Sequence, residues 1–209
     1  MAPPILSNAT RFKERLFTEL HFAPRHLSPL RRLYRQMRGD VLGGDFSFNE
    51  VPGLHENMTW FYASSPSTLA AFLRCLTDSH LRECLTLVEG NAELLAACFV
   101  VVRGDTPRMD FHVDYGQQEI PAGVTGTLLT PLVEFDEGFG HLDYREGALE
   151  HEYRYQRGDA ILFDGKFEHR SQEAPSQGGL DRILVSWSLA TMDARYQFAI
   201  RRVIESQSN

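Results

Sequence analysis

Apolar residues return every three to four positions through the first part of the chain, and every second position after about residue 94. Phe12, Leu16 and Leu20, then Leu27, Leu30, Leu33 and Tyr34, follow the helical period. Interrupted by Pro24 and Pro29, they predict two short amphipathic helices. Ser65-Pro66-Ser67 opens a third through Leu69, Phe72, Leu73 and Leu76, with Pro66 in the first turn, where a missing N–H costs little. A fourth is predicted from His80 to Val88. In the stretch from 39 to 65, Gly39, Gly43, Gly44, Pro52 and Gly53 predict irregular structure. Its Trp60-Phe61-Tyr62 cluster reads as core or as a loop anchor.

The later period is that of strands. Ala97 to Val102 is rich in β-branched residues and ends in Arg103-Gly104-Asp105-Thr106-Pro107, a turn composition. Further strands are predicted near Met109–Asp114, Gly126–Val133, His151–Tyr155, Ala160–Phe163 and Arg182–Leu189, each bounded by Gly, Pro or Asp. Asp193 to Ile204 closes the chain as a helix, with Tyr196, Ile200 and Val203 or Ile204 facing inward. Short strands at this spacing predict a mainly β fold, an antiparallel jelly roll with a helical N-terminal third covering one sheet. At 209 residues one domain over 1–209 is expected. It divides into helical support at about 1–93, a jelly-roll core at about 94–190 and a C-terminal helix at about 193–205.

Composition narrows the class. The chain is 43% hydrophobic and 23% charged, which is ordinary for a globular protein. Met1 to Thr10 lacks a basic start followed by an apolar run, and no apolar stretch approaches the roughly 20 residues of a membrane span. A soluble, cytoplasmic protein with no membrane partner is expected. The formal charge of −7 argues against nucleic acid as a partner. Between Arg11 and Arg38, however, eight basic residues face only Glu14 and Glu19, which reads as a solvated helix face or a docking patch for an anionic partner. Cys75, Cys84 and Cys98 match no zinc or redox spacing and are expected to be buried free thiols.

The candidate chemistry begins with His112-Val113-Asp114. Residues two apart in an extended segment project from one face, so both side chains can chelate one ion. The pattern alone says little, because eight histidines and 28 acids in 209 residues place about one His-x-Asp/Glu by chance. His141-Leu142-Asp143 repeats it. His141 follows Glu134, Asp136, Glu137, Gly138 and Gly140, which reads as a solvated loop, so His141 and Asp143 are expected at the surface or on a hairpin flank. His112 follows an apolar strand and a short turn. After the turn and buried strand of Gly158 to Phe163, His169 is the natural candidate for a third ligand, against the competing reading of a satisfied polar residue at a strand end. In Arg182-Ile183-Leu184-Val185-Ser186-Trp187-Ser188-Leu189, alternation puts Arg182, Leu184, Ser186 and Ser188 on one face. Turned inward, that guanidinium requires an anion, and a carboxylate accepts it bidentately. The competing reading pairs it with Asp181 or Glu173.

With His112-x-Asp114, His169 and Arg182 in this order, the chain resembles the 2-oxoglutarate-dependent Fe(II) dioxygenases, more closely their prolyl-hydroxylase-like branch. The resemblance covers about Val100 to Leu189. It implies a double-stranded β-helix in which His112, Asp114 and His169 bind catalytic Fe(II) and Arg182 binds the distal carboxylate of 2-oxoglutarate. A hydroxyl often assists that arginine, and Thr127 is the candidate. The resemblance further implies O2 as the oxidant, ascorbate as an accessory reductant, and release of succinate and CO2 as a C–H bond of a small molecule or a peptidyl residue such as proline is hydroxylated. Asp114 departs from the halogenating relatives, Ser188 from the second arginine of the nucleic-acid demethylases, and Leu184 from the serine of the plant-type enzymes. The stretch from Gly39 to Ser65 and the loop from Tyr115 to Gly123 are the expected substrate lid. The alternatives are a cupin-like metal enzyme without 2-oxoglutarate and a metal-free β-sandwich interaction protein using the basic helices.

Overall fold

Strand pairing organises the chain, which the computed structural model describes over residues 7–38, 44–49, 57–135, 137–175 and 180–207. The strands are β1 (Phe17–His21), β2 (Phe46–Asn49), β3 (Met58–Ala63), β4 (Ala92–Val102), β5 (Thr125–Pro131), β6 (Leu142–Glu146), β7 (Leu149–Tyr153), β8 (Asp159–Asp164), β9 (His169–Ser171) and β10 (Arg182–Thr191). The helices are α1 (Asn8–Arg15), α2 (Ser28–Arg38), α3 (Pro66–Thr77), α4 (Cys84–Leu87) and α5 (Ala194–Gln207). A major antiparallel sheet has the order β1-β8-β5-β10-β4-β3-β2, and a minor sheet the order β7-β6-β9.

β10 lies at the centre of the major sheet, paired with β4 and β5. Its alternation sorts the two faces. Ile183, Val185, Trp187 and Leu189 join Phe99, Val101, Leu128 and Leu162 under the helices, packed against Phe72, Leu76 and Leu30. Trp187 is fully buried and donates its indole N–H to Phe72 O at 3.1 Å, satisfying the one polar atom that so large a side chain brings into a core. The opposite face of the sheet looks toward the minor sheet. There Phe17, Ile161 and Phe163 meet Leu142, Tyr144, Tyr153 and Phe167. Helices on one face and a second sheet on the other make the layered jelly roll expected from the strand pattern.

The first third is not the helical block that the periodicity predicts. It contributes β1, β2 and β3 to the major sheet as well as α1 to α4. The helix predicted through Leu20 stops at Arg15, where Leu16 takes a left-handed φ of 62°. Phe17 to His21 then pairs with β8, Phe17 opposite Phe163. Tertiary pairing at an open sheet edge outweighs a three-to-four-residue repeat. Residues 46–49 and 58–63, expected to be irregular, form an antiparallel pair. Residues 39–43 and 50–56 of the expected lid lie outside the described residues. Ser65 does cap α3, its hydroxyl accepting from Thr68 N in a reciprocal capping box. All three cysteines are buried free thiols, and no helix among the described residues is long and apolar enough to cross a membrane.

The other lid candidate, Tyr115 to Gly123, is seated rather than free. Tyr115 and Ile120 are buried with Val124 against Ile200 and Val203 of α5. Tyr115 N donates to Gly165 O at 3.0 Å, and Gly123 N to the Asp164 carboxylate at 2.6 Å. Gly165 is required by this close approach, because a Cβ there would lie 2.5 Å from Thr125 Oγ1 and 2.6 Å from the Tyr115 ring. Gly165→Ala is therefore expected to destabilise the fold by about 1–3 kcal/mol. A urea unfolding midpoint unchanged from wild type would contradict this packing.

Candidate metal centre

The segment carrying His112 is not the strand predicted over Met109–Asp114. It runs beside the chain after β8, held by bridges at Thr106↔Ala174 and His112↔His169 and by a bond from Met109 N to Ser171 O at 3.2 Å. The two bridges differ in register by one residue, so the ladder between them is broken. The pairing nevertheless brings the two histidines together. His112 N donates to His169 O at 2.9 Å and His169 N to His112 O at 3.0 Å. One donor atom each from His112, Asp114 and His169 then lies within 4.8 Å of the others.

Both rings are set by the backbone. Nδ1 of His112 lies 3.0 Å from Asp110 O, and Nδ1 of His169 lies 3.0 Å from Phe167 O. A carbonyl can only accept, so the proton sits on Nδ1 and the Nε2 lone pair is left for a ligand. His169 is buried, and its pKa is depressed by burial and by His112, against the opposing pull of Asp114. The ring is thereby kept neutral, as a metal ligand must be. Asp114 Oδ2 accepts from Thr127 Oγ1 at 2.9 Å. Thr127 is thus a partner of Asp114, not the assistant to Arg182 that the resemblance suggests.

Arg182 stands toward the other end of the same cavity, six residues from Ser188, whose β5 partner is Thr127. This cavity of about 600 Å³ is lined by the three donor residues, by Arg182, Leu184, Ser186 and Ser188, and by Trp60 and Tyr62 of β3. Trp60 and Tyr62 pack against the core cluster of Met58, Cys98, Val100 and Val102 and also form part of the cavity wall. Arg182 is 7% exposed. It donates to Phe139 O and Thr106 Oγ1, both neutral, and burial lowers its pKa to about 10, still charged at neutral pH. No ion pair of Arg182 occurs among the described residues. Asp181 is taken instead by Arg38 at 2.8 Å and Tyr34 at 3.0 Å. Gly140 has φ of +69°, and a Cβ there would lie 3.0 Å from Glu173 O and 3.2 Å from the guanidinium. Thr106 was hidden in the sequence inside an ordinary turn composition, and only the Thr106↔Ala174 bridge carries it to Arg182.

The second His-x-Asp is buried, not solvated. His141 and Asp143 are 7% and 6% exposed, with Asp143 on β6 between β7 and β9. His141 lines the cavity and accepts from Tyr155 N at 3.2 Å. Asp143 accepts from Arg108 at 2.7 Å, Arg170 at 3.0 Å and Gln172 at 2.7 Å. The acidic, glycine-rich run before it disguised a strand whose carboxylate is covered by cations contributed from other segments.

No protein-family profile matches the sequence, and no curated protein matches it either. The likeness is in three dimensions. HygX from Streptomyces hygroscopicus, in a structure with nickel and 2-oxoglutarate bound, is 14% identical over 90% of this chain and 89% of that one, with a TM-score of 0.68. A Pseudomonas putida prolyl-4-hydroxylase is 13% identical over 88% and 97%, with a TM-score of 0.59. SnoN, a non-haem α-ketoglutarate-dependent epimerase from nogalamycin biosynthesis, is 12% identical over 88% and 81%, with a TM-score of 0.65. The chain shares the fold of 2-oxoglutarate-dependent enzymes, a prolyl hydroxylase among them.

Asp143 gives the site a pH signature. Burial pushes its pKa up, but the bonds from Gln172, Arg108 and Arg170 outweigh it and hold the pKa below the ordinary value. A carboxyl depressed in the folded state contributes stability above its unfolded pKa of about 3.9, lost as pH falls through the folded value. Asp143→Asn should cost roughly 1–3 kcal/mol at pH 7, with the gap to wild type closing in acid below about pH 4. A gap that persists unchanged at pH 2.5 in thermal unfolding would contradict this.

Proposed function

We propose that the chain is a non-haem Fe(II), 2-oxoglutarate-dependent oxygenase, one domain over residues 1–209, that hydroxylates a C–H bond of a small molecule or of a peptidyl residue such as proline. One observation carries this reading: a buried guanidinium with neutral partners shares a cavity with a His-Asp-His donor set. The donors suit the ion, since two neutral imidazoles and one carboxylate leave further positions open for a co-substrate and dioxygen. His112, Asp114 and His169 are the proposed metal ligands, and Arg182 the proposed ligand of the distal 2-oxoglutarate carboxylate. When bound, Fe(II) and 2-oxoglutarate supply dioxygen activation coupled to oxidative decarboxylation of the co-substrate to succinate and CO2, with ascorbate as accessory reductant.

The protein's own part is orientation. Asp110 O and Phe167 O fix the two imidazoles, and the Thr127 hydroxyl fixes one oxygen of Asp114. Thr106 and Phe139 O aim the Arg182 fork, whose charge favours a dicarboxylate over a monocarboxylate. Met58, Trp60, Val100, Val102 and Met109 give the cavity an apolar wall that excludes water and suits a substrate with little charge near the reacting carbon. HygX has been solved with hygromycin B bound, which supports a small-molecule substrate for this fold.

Fe(II) and 2-oxoglutarate added without oxygen should give a weak visible charge-transfer band. His169→Ala should abolish it, and Arg182→Ala should raise the 2-oxoglutarate concentration for half-development by about tenfold or more. A featureless wild-type spectrum, or an undiminished band in His169→Ala, overturns the assignment. Gain of one oxygen atom by the substrate, read by mass, distinguishes hydroxylation from epimerisation.

A further inference from the structure

The segment from Thr106 to Asp114 carries two of the three donors, yet it is not part of a regular strand. A different contact fixes it to the minor sheet. Next to His112, and absent from the cavity lining, is the Phe111 ring. Two guanidinium groups lie over this ring, Arg145 Cζ at 3.8 Å and Arg170 Cζ at 4.0 Å from its centroid. Two cations over one ring should repel each other. Glu150 resolves the conflict by accepting from both, from Arg145 at 3.1 Å and from Arg170 at 3.0 Å. Arg145 is tied further to Glu168 at 2.9 Å, the residue before His169. Arg170, the residue after His169, is tied to Asp143.

We propose that Phe111 is a positioning residue for the metal site, holding His112 and Asp114 against His169 through the paired guanidiniums of Arg145 and Arg170. The inference rests on the metal-site reading above. The guanidiniums come from β6 and β9, and Arg170 is the immediate neighbour of His169 on β9. The contact therefore joins the segment bearing the first two donors directly to the strand bearing the third. Asp143, the acid of the second His-x-Asp, anchors Arg170 and so supports the first pair from behind. A cation over an aromatic face is directional, unlike simple apolar packing, so the ring's electrons and not only its bulk are required. Residues that orient metal ligands in this indirect way typically change affinity by 10–100-fold when removed.

The test uses Ni(II) alone, titrated calorimetrically into the full chain, with the visible ligand-field spectrum of the Co(II)-loaded protein as a second readout. Phe111→Ala should weaken Ni(II) binding by about tenfold and shift the Co(II) bands. Phe111→Tyr, which keeps the π face, should restore both to near wild type. Phe111→Leu, which keeps apolar bulk without a π face, should stay close to Phe111→Ala. If Phe111→Ala does not fold, comparison of the Tyr and Leu variants decides the matter. Wild-type affinity and spectrum in both Phe111→Ala and Phe111→Leu, or equal rescue by Leu and Tyr, overturns the proposal. A wild-type protein that binds no Ni(II) overturns instead the metal-site reading on which it depends.

Discussion

A charged guanidinium on the inner face of β10 is the constraint around which the site is arranged. Among the described residues Arg182 is buried with Phe139 O and Thr106 Oγ1, both neutral, as its hydrogen-bond partners, an arrangement that costs stability unless an anion arrives. The hydrophobic face of the same strand makes the orientation secure. Ile183, Val185, Trp187 and Leu189 are all buried under the helices. A one-residue slip would expose them and carry Arg182 out of the cavity. The core that stabilises the sheet is thus also what aims the arginine.

The donor set is built differently. His169 sits on β9, but His112 and Asp114 come from a segment with broken pairing. Backbone carbonyls, Thr127 and the charged face of the minor sheet supply the order that a continuous ladder would otherwise give. Arg108, Arg145 and Arg170 alternate there with Asp143, Glu150 and Glu168. Networks of this kind fix geometry more than they add stability. A rigid sheet at the arginine end and a polar lattice behind the donors hold the two halves of one cavity in register.

Much of this was legible in the chain. The period-two run through β10 predicts which residues face inward, and Arg182, Leu184, Ser186 and Ser188 do line the cavity. His112, Asp114 and His169, grouped in the sequence only through the family resemblance, do place one donor atom each within 4.8 Å of the others. What escaped the sequence depends on long-range pairing. β1 looks helical because Leu16 and Leu20 continue the repeat begun at Phe12, and only its edge position beside β8 makes it a strand. His141 and Asp143 look solvated because the acids before them are local, whereas the cations that cover Asp143 come from positions 108 and 170. Thr127 bonds Asp114 and Thr106, given no role by the sequence, bonds Arg182 for the same reason. Each hydroxyl's partner is set by which strands lie side by side, not by which residues are near in sequence.

The most direct test of the central claim is a crystal structure of the protein with Ni(II) and 2-oxoglutarate. Metal contacts of roughly 2.0–2.2 Å are expected to Nε2 of His112, Nε2 of His169 and a carboxylate oxygen of Asp114, with the distal co-substrate carboxylate held bidentately by Arg182. Metal at any other donor set, or a co-substrate whose distal carboxylate lies away from Arg182, would contradict it.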